Sequence, residues 1–205
     1  MTHRLFLTAG VALAVLFTPL AAPAQTAETP TTETPTTEGQ PDAAVMPYLA
    51  ATHGDWQVIC TRAAEDAPEF CEGYQLLSDA QGSPIAEFSL EALPLGAEFA
   101  AGATITTPLE TFLPTGLGFR VGEAEEMRLE PFRVCTVVGC IVRMGVTFEE
   151  LDAMKAGSTA TLTIAPFVQV DQPVDITVSL SGFTAMFEDL QTRLSLAAAA
   201  ARSGN

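Results

Sequence analysis

The sequence predicts a mostly β protein: an antiparallel β-sandwich of about seven to nine strands with two short helices, stapled by two disulfides. Three observations lead to this prediction. They are short segments of alternating apolar and polar residues, connections rich in Gly and Pro, and four cysteines in a chain that begins like an exported protein. Alternation with a period of two is typical of strands with one wet face, and a second sheet must cover their apolar faces.

The alternation is clearest in residues 86–92, 159–164 and 174–181, where Ala, Phe, Leu, Ile and Val alternate with Glu, Ser, Thr and Asp. Connections such as 81–84, 93–96 and 113–116 contain Gly and Pro, which favour turns. These turns mark where strands should end. Weaker strand candidates lie at 55–61, 70–78, 103–106, 116–121, 127–138 and 140–146.

The sequence predicts two helices. The first, 147–156, opens with Thr147 and Glu150 at the spacing of a capping box and closes at Gly157. The second begins near Thr184, because a helical stripe follows it, and Gly182 should turn the preceding strand into it. This helix is expected to cover an open end or edge of a sheet. The stripe consists of Met186, Phe187, Leu190 and Leu194.

The N-terminal segments are predicted to lie outside the folded domain. Residues 1–24 combine a basic start, a long apolar run and the small residues of a cleavage site, as secretory signal peptides do. An uncleaved anchor is the alternative, since the run approaches the roughly 20 residues of a spanning helix, but Pro19 interrupts it. The further division is a disordered Thr/Glu/Pro-rich tether over 25–47, the β-sandwich domain over 48–196 and an Ala-rich flexible tail over 197–205.

The charge of the chain excludes nucleic acid as a partner. The net charge is −16, and removal of the signal peptide takes away Arg4 and no acid, so it becomes −17. Polyanion binding needs clusters of Lys and Arg, whereas the mature chain has one lysine, Lys155, and seven scattered arginines. No second long apolar run follows the signal, so no integral membrane segment is expected after cleavage. A basic partner would be attracted electrostatically, although acidity alone also keeps a protein soluble.

The four cysteines are Cys60, Cys71, Cys135 and Cys140. An even number in an exported chain predicts two disulfides, and three pairings are possible. Closeness in sequence favours the local pairs, Cys60 with Cys71 and Cys135 with Cys140. A metal site is disfavoured, because His53 is the only mature histidine.

No catalytic, cofactor-binding or metal-binding residue is predicted. A serine or cysteine nucleophile needs a neighbouring base, and His53 precedes the first predicted strand, where an exposed loop residue without a role is expected. The acidic stretch 123–126 lacks the oxygen spacing of a calcium loop and predicts a solvated turn. Trp56 is expected to be a core anchor rather than a ligand platform. Four methionines predict core filling rather than copper binding: Met127, Met144, Met154 and Met186.

Four blocks of sequence, taken together and in order, resemble one family. They are Gly54-Asp-Trp-Gln-Val-Ile-Cys60 with Cys71, Leu93-Pro-Leu-Gly96 with Gly102-Ala-Thr-Ile105, Cys135-Thr-Val-Val-Gly-Cys140 with Leu151 and Lys155-Ala-Gly157, and Val178-Ser-Leu-Ser-Gly-Phe-Thr-Ala185. The family is the invasion-associated locus B proteins of alphaproteobacteria. The resemblance implies an exported envelope or periplasmic protein, linked in some pathogens to host-cell invasion, with no established catalytic residues.

The favoured functional hypothesis is a non-enzymatic interaction protein that presents loops from a rigid scaffold, either in the periplasm or at the outer surface. Its partner would be a protein of the cell envelope or of a host surface, and no cofactor is expected. One alternative is a small-ligand carrier or hydrolase that uses carboxylates in an apolar cleft. Another is an accessory factor for envelope stress. The oligomeric state is not predicted.

Overall fold

Two antiparallel sheets and two helices make up the part of the chain that the structure describes. The computed structural model describes residues 46–62, 69–79 and 81–203, all within one compact unit, Gln40–Asn205. The signal peptide predicted over 1–24 and nearly all of the tether predicted over 25–47 lie outside the described residues. The elements are β1 (Tyr48–His53), β2 (Trp56–Arg62), β3 (Glu69–Ser78), β4 (Pro84–Ala92), β5 (Ala101–Thr107), β6 (Leu117–Val121), β7 (Arg128–Glu130), β8 (Phe132–Thr136), β9 (Gly139–Val146), α1 (Phe148–Ala156), β10 (Thr159–Ile164), β11 (Val174–Ser179) and α2 (Phe183–Ser203).

The strands form a seven-stranded sheet in the order β1-β2-β3-β4-β5-β9-β8 and a four-stranded sheet in the order β11-β10-β6-β7. The antiparallel β-sandwich is therefore confirmed. The described residues form eleven strands, which is above the predicted range. Pro131 divides the candidate strand 127–138 into β7 and β8, which belong to different sheets. β1 was missed because its sequence, YLAATH, does not alternate.

The core lies between the sheets, where the inward residues of both meet. Trp56 is fully buried, as predicted, and its indole N–H donates to the carbonyl of Ser179 at 2.8 Å. Its ring meets Phe88 and Phe183 edge-on, with centroids 5.7 and 5.4 Å away. Three of the four methionines, those at 144, 154 and 186, are buried in this core. Their predicted packing role is confirmed.

The buried side chain of Gln75 joins the two sheets. Its amide nitrogen donates to the carbonyls of Asp55, at 3.2 Å, and Ser179, at 3.1 Å. Its oxygen accepts from the backbone N–H of Ser179 at 2.9 Å. All of these groups leave water on folding, so the hydrogen bonds offset a desolvation cost. The alternation of β3 predicts an apolar residue at this inward position, so the sequence did not indicate the role of Gln75.

Both predicted helices are present. Thr147 and Glu150 form the predicted capping box at the start of α1, with distances of 3.1 and 2.9 Å between the reciprocal partners. α2 packs on β1–β4, the end of the seven-stranded sheet that begins with β1. Met186 lies directly over Gly73 on the inner face, where a Cβ atom would come within 2.2 Å of its sulfur.

α2 is longer than predicted. It continues to Ser203 and thus includes residues 197–203, which were assigned to a flexible tail. Alanine has the highest helix propensity, so a helix that is already stabilised by packing continues through the run of alanines.

Candidate functional site

The outer face of the seven-stranded sheet carries the candidate site. Inward positions of β3 are taken by Gly73, Gln75 and Leu77, so Glu72 and Tyr74 point outward. The same alternation places the side chains of Glu87, Ser89 and Glu91 on the outer face of β4.

The strand register brings two carboxylates together on this face. Gly73 is opposite Leu90, so the next residues, Glu72 and Glu91, lie side by side. Glu91 is in turn opposite Gly102 of β5. Like charges on neighbouring strands repel each other and destabilise a sheet. Among the residues that the structure describes, no Lys or Arg forms an ion pair with either carboxylate.

Glycines open a groove of about 680 Å³ beside these carboxylates. A Cβ atom on Gly102 would lie 2.8 Å from Glu91 Oε1, so glycine lets this side chain lie flat across β5. Phe99 packs over Gly145 of β9 in the same way. The groove has Phe70 and Leu93 as apolar walls. Its polar lining includes Glu72, Ser89, Glu91, Thr104 and Arg143.

The electrostatic environment of Glu72 differs from that of an ordinary surface carboxylate. Burial raises the pKa of Glu72, and the charges of Glu91 and Glu87 raise it further, although a hydrogen bond with Ser89 opposes them. Burial and the carboxylate of Glu87 likewise raise the pKa of Tyr74. The groove therefore contains two neighbouring carboxylates and the guanidinium of Arg143, which forms no ion pair with either of them.

In a second charged cluster, between β3 and α2, the carboxylates are paired with arginines. Glu69 accepts a hydrogen bond from the Tyr48 hydroxyl and one from Arg62 at 3.1 Å, and its other oxygen lies 3.6 Å from Arg193. The bond from Tyr48 lowers the pKa of Glu69, and both guanidinium groups lower it further. Arg193 also pairs with Asp189 at 2.9 Å. Each carboxylate has a cation, so this cluster serves to hold α2 to the sheet.

His53 is not the exposed loop residue that was predicted. It ends β1, is partly buried, and its Nε2 lies 3.0 Å from Asp189 Oδ2. Burial acts to raise the pKa of Asp189, but hydrogen bonds with His53 and Arg193 outweigh it and lower the pKa. The hydroxyl of Ser179 donates to Asp55 at 2.6 Å. His53 therefore contacts a carboxylate of α2 and not this serine.

The disulfides join the predicted local pairs, Cys60 with Cys71 and Cys135 with Cys140. Each bridge joins residues that face each other on adjacent strands. Glu69 lies beside the first bridge at ligand distance, but cysteines in a disulfide have no thiolate to offer a metal. Two structural disulfides are typical of proteins that mature in an oxidising compartment. Among the described helices, none is long and apolar enough to cross a bilayer.

The remaining predicted positions lie apart from the groove. Residues 123–126 form an exposed connection between β6 and β7, as expected for a solvated turn. The groove itself was not predicted, because its carboxylates come from different strands and meet only through the register. The sequence did contain one signal for the groove: glutamates occupy outward positions of two strands that are consecutive in the chain, β3 and β4.

The architecture defines a class: β-sandwich domains held by two local disulfides, with a C-terminal helix packed on one sheet. The model of the invasion associated locus B (IalB) protein family matches residues 56–191, and the chain belongs to this family. The fold is also similar to the crystal structure of invasion associated protein B from Bartonella henselae. The TM-score is 0.59 at 19% identity, over 71% of this chain and 97% of the Bartonella chain. No curated protein matches the chain.

Proposed function

We propose that the mature chain is a non-enzymatic interaction protein of the periplasm or outer surface, and that it binds a basic segment of a partner protein in the outer-face groove. The observation that carries this proposal is the pair Glu72 and Glu91, which lie side by side in an open groove and form no ion pair with Arg143, the cation that also lines it. Sites that break a local stability rule in this way are often functional. A lysine or arginine of the partner would supply the missing charge.

The aromatic residues beside the carboxylates suit the same ligand. Phe70 is half exposed on the groove wall. Tyr74 follows Glu72 on the outward face of β3, outside the groove lining. A guanidinium or ammonium group bound by the carboxylates would also meet aromatic rings, which attract cations. A strongly acidic protein further steers basic partners toward it before contact.

The non-enzymatic part of the proposal is supported by how the reactive groups are used. His53 contacts Asp189, the Ser179 hydroxyl donates to Asp55, and the four cysteines are bridged. A serine or cysteine nucleophile is ordinarily activated by an imidazole or exists as a thiolate, whereas Ser179 has a carboxylate rather than an imidazole beside it and the cysteines carry no free thiol. The names of the family and of the Bartonella protein refer to invasion. For this chain we propose a role in host-cell contact or in envelope maintenance.

The test measures binding of a short, unstructured peptide of alternating Ser and Lys to the mature protein by NMR titration. We expect shifts at the amides of Glu72, Ser89 and Thr104, and affinity that falls with salt. The double variant Glu72→Gln, Glu91→Gln should weaken binding about tenfold, which is about 1.4 kcal/mol. The matched control, Glu123→Gln with Glu125→Gln, removes the same charge from an exposed turn and should change the affinity little. Equal losses in both variants would show that only net charge matters.

A small-ligand carrier or hydrolase is the second candidate function. It is favoured by the raised pKa of Glu72 within a groove that has apolar walls, because an environment that favours the protonated carboxyl suits a general acid. A metabolite screen by thermal shift distinguishes the two. A small cation such as spermidine that binds in the groove more tightly than the Ser/Lys peptide would favour the carrier.

A further inference from the structure

Three connections at one end of the sandwich expose an unusual set of apolar side chains. They are residues 108–116 between β5 and β6, the turn 137–138 between β8 and β9, and residues 165–173 between β10 and β11; together we call them the loop end. The relative exposures are 94% for Val137, 76% for Val138, 67% for Phe167 and 81% for Val168. Leu109 and Leu113 are also exposed. Concentrated exposed apolar surface is typical of interaction sites.

The turn of β8 and β9 is not explained by local structure. Thr136 pairs with Gly139, so Val137 and Val138 are the two residues of a tight turn. Neither valine has a positive φ, and the left-handed position of the turn is taken by Gly139. Valine is nevertheless a strand residue with a rigid, apolar side chain, so its presence twice in an exposed turn is unusual. The Cys135–Cys140 bridge closes this turn directly beneath the two valines. A disulfide therefore holds in place two side chains that would be more stable out of water.

Hydrogen bonds fix the two longer connections to each other. The backbone N–H of Phe112 donates to Ala165, and that of Phe167 donates to Glu110, both at 2.7 Å. A β-bridge between Thr111 and Pro166 lies between these bonds. Residues 108–116 and 165–173 are thus joined to each other by backbone contacts.

The valine turn is attached to the same unit. A Cβ atom on Gly139 would lie 2.5 Å from the carbonyl oxygen of Thr107, so the turn packs directly on the end of β5. The buried hydroxyl of Thr107 donates to Cys140 at 3.3 Å, and that of Thr111 donates to Thr107 at 3.1 Å. A surface fixed before binding loses little conformational entropy when a partner arrives. The loop end is therefore pre-organised.

The charges of the loop end indicate its occupant. Residues 108–116, 137–138 and 165–173 contain no Lys or Arg, and they contain the exposed acids Glu110 and Asp171. Glu87 lines a neighbouring groove together with Val138 and Leu76. Acidic groups around apolar side chains complement a segment that is apolar and basic, and anionic lipid would be repelled.

We propose that the loop end is a second docking surface, separate from the outer-face groove, and that it binds an amphipathic segment of another protein carrying apolar side chains together with lysine or arginine. The apolar side chains of the segment cover Val137, Val138 and Phe167, and its cations face Glu110 and Asp171.

The test compares two probe peptides of equal length and charge, one of Leu and Lys and the other of Ser and Lys, binding to the mature protein. The Leu/Lys peptide should bind more tightly and shift the amides of Val137, Val138 and Phe167. The variant Val137→Thr, Val138→Thr should remove this excess affinity, a loss of about tenfold. Leu95→Ser is the matched control, since Leu95 is fully exposed on the connection between β4 and β5, and it should leave the excess unchanged.

Failure of this proposal is distinguishable from failure of the groove proposal. Binding of the Ser/Lys peptide, and its loss in the variant Glu72→Gln, Glu91→Gln, report on the groove. The higher affinity of the Leu/Lys peptide relative to the Ser/Lys peptide reports on the loop end. An excess that survives the valine variant would overturn the loop-end proposal. If the valine variant kept this excess affinity but lost binding to phosphatidylcholine vesicles, the occupant would be a lipid surface. If it instead lost self-association in sedimentation, the occupant would be a second copy of the chain. The valines are exposed, so a retained melting temperature confirms that the variant is folded.

Discussion

The carboxylate of Glu72 has opposite effects on folding and on the proposed binding: its ionised form destabilises the folded domain but would attract a basic ligand. It lies partly buried between Ser89 and Glu91, and its raised pKa means that ionisation is less favourable in the folded than in the unfolded protein. The charged clusters elsewhere, such as Glu69 with Arg62 and Arg193, show that this fold can neutralise a carboxylate. A carboxylate that costs stability is therefore a candidate for a binding role.

The variant Glu72→Gln should therefore be more stable than the parent protein at neutral pH. The folded-state pKa is above the unfolded-state pKa, so the cost of ionisation is present at pH 7 and disappears as pH falls below both values. We expect the melting temperature to rise by about 1 to 3 °C at pH 7, and the difference to vanish near pH 3. Thermal melts across this pH range measure it.

The control for this measurement is Glu123→Gln, whose side chain lies in an exposed turn and whose melting temperature should match the parent. A Glu72→Gln variant that melts at a lower temperature than the parent at pH 7 would contradict the assigned environment of Glu72.

A comparison of two glycines with similar φ distinguishes the cost of backbone strain from the cost of a steric clash at the ends of secondary-structure elements. Gly82, at φ +83°, lies in the turn before β4 with open space around it. Gly182, at φ +84°, joins β11 to α2, and a Cβ atom there would lie 2.0 Å from the backbone oxygen of His53. Close approach of two backbones, in addition to a positive φ, requires glycine at position 182.

Gly82→Ala should cost about 1 kcal/mol of unfolding free energy, the strain of a left-handed alanine. Gly182→Ala should cost at least about 3 kcal/mol more, because α2 or the turn after β1 must shift to relieve the clash. Urea unfolding of the two variants measures the difference, with loss of soluble protein as the extreme outcome for Gly182→Ala. Equal stabilities would mean that the turn after β1 does not contact Gly182.

Elements with a local signal were predictable from the sequence. The capping box of α1, the alternation of β4, β10 and β11, and the turn at Gly182 are all defined by residues close in the chain. β1 and the helical end of α2 were not predicted. β1 is held by pairing with β2 and by the contact of His53 with Asp189, neither of which leaves a pattern in YLAATH.

At the scale of the whole molecule, the sequence predicted the scaffold better than the sites. Alternation and local cysteine spacing were sufficient for the sandwich and its disulfides. The groove depends on Glu72 and Glu91, which come from different strands, and on Gly102 and Gly145, which create space by lacking side chains. Both effects depend on the strand register, which the sequence pattern does not specify, so the outward Glu residues of β3 and β4 were the available signal.

The most direct test of the central claim places a photo-cross-linking phenylalanine derivative at Phe70, on the groove wall, in the chain expressed in its own cell envelope. The matched control is the same derivative at Phe148, an exposed aromatic residue of α1. Binding of a basic segment in the groove predicts that position 70 captures one protein with an accessible basic segment, that position 148 does not, and that capture is lost in the variant Glu72→Gln, Glu91→Gln. The same set of captured proteins at both positions, or capture that survives the double variant, would contradict it.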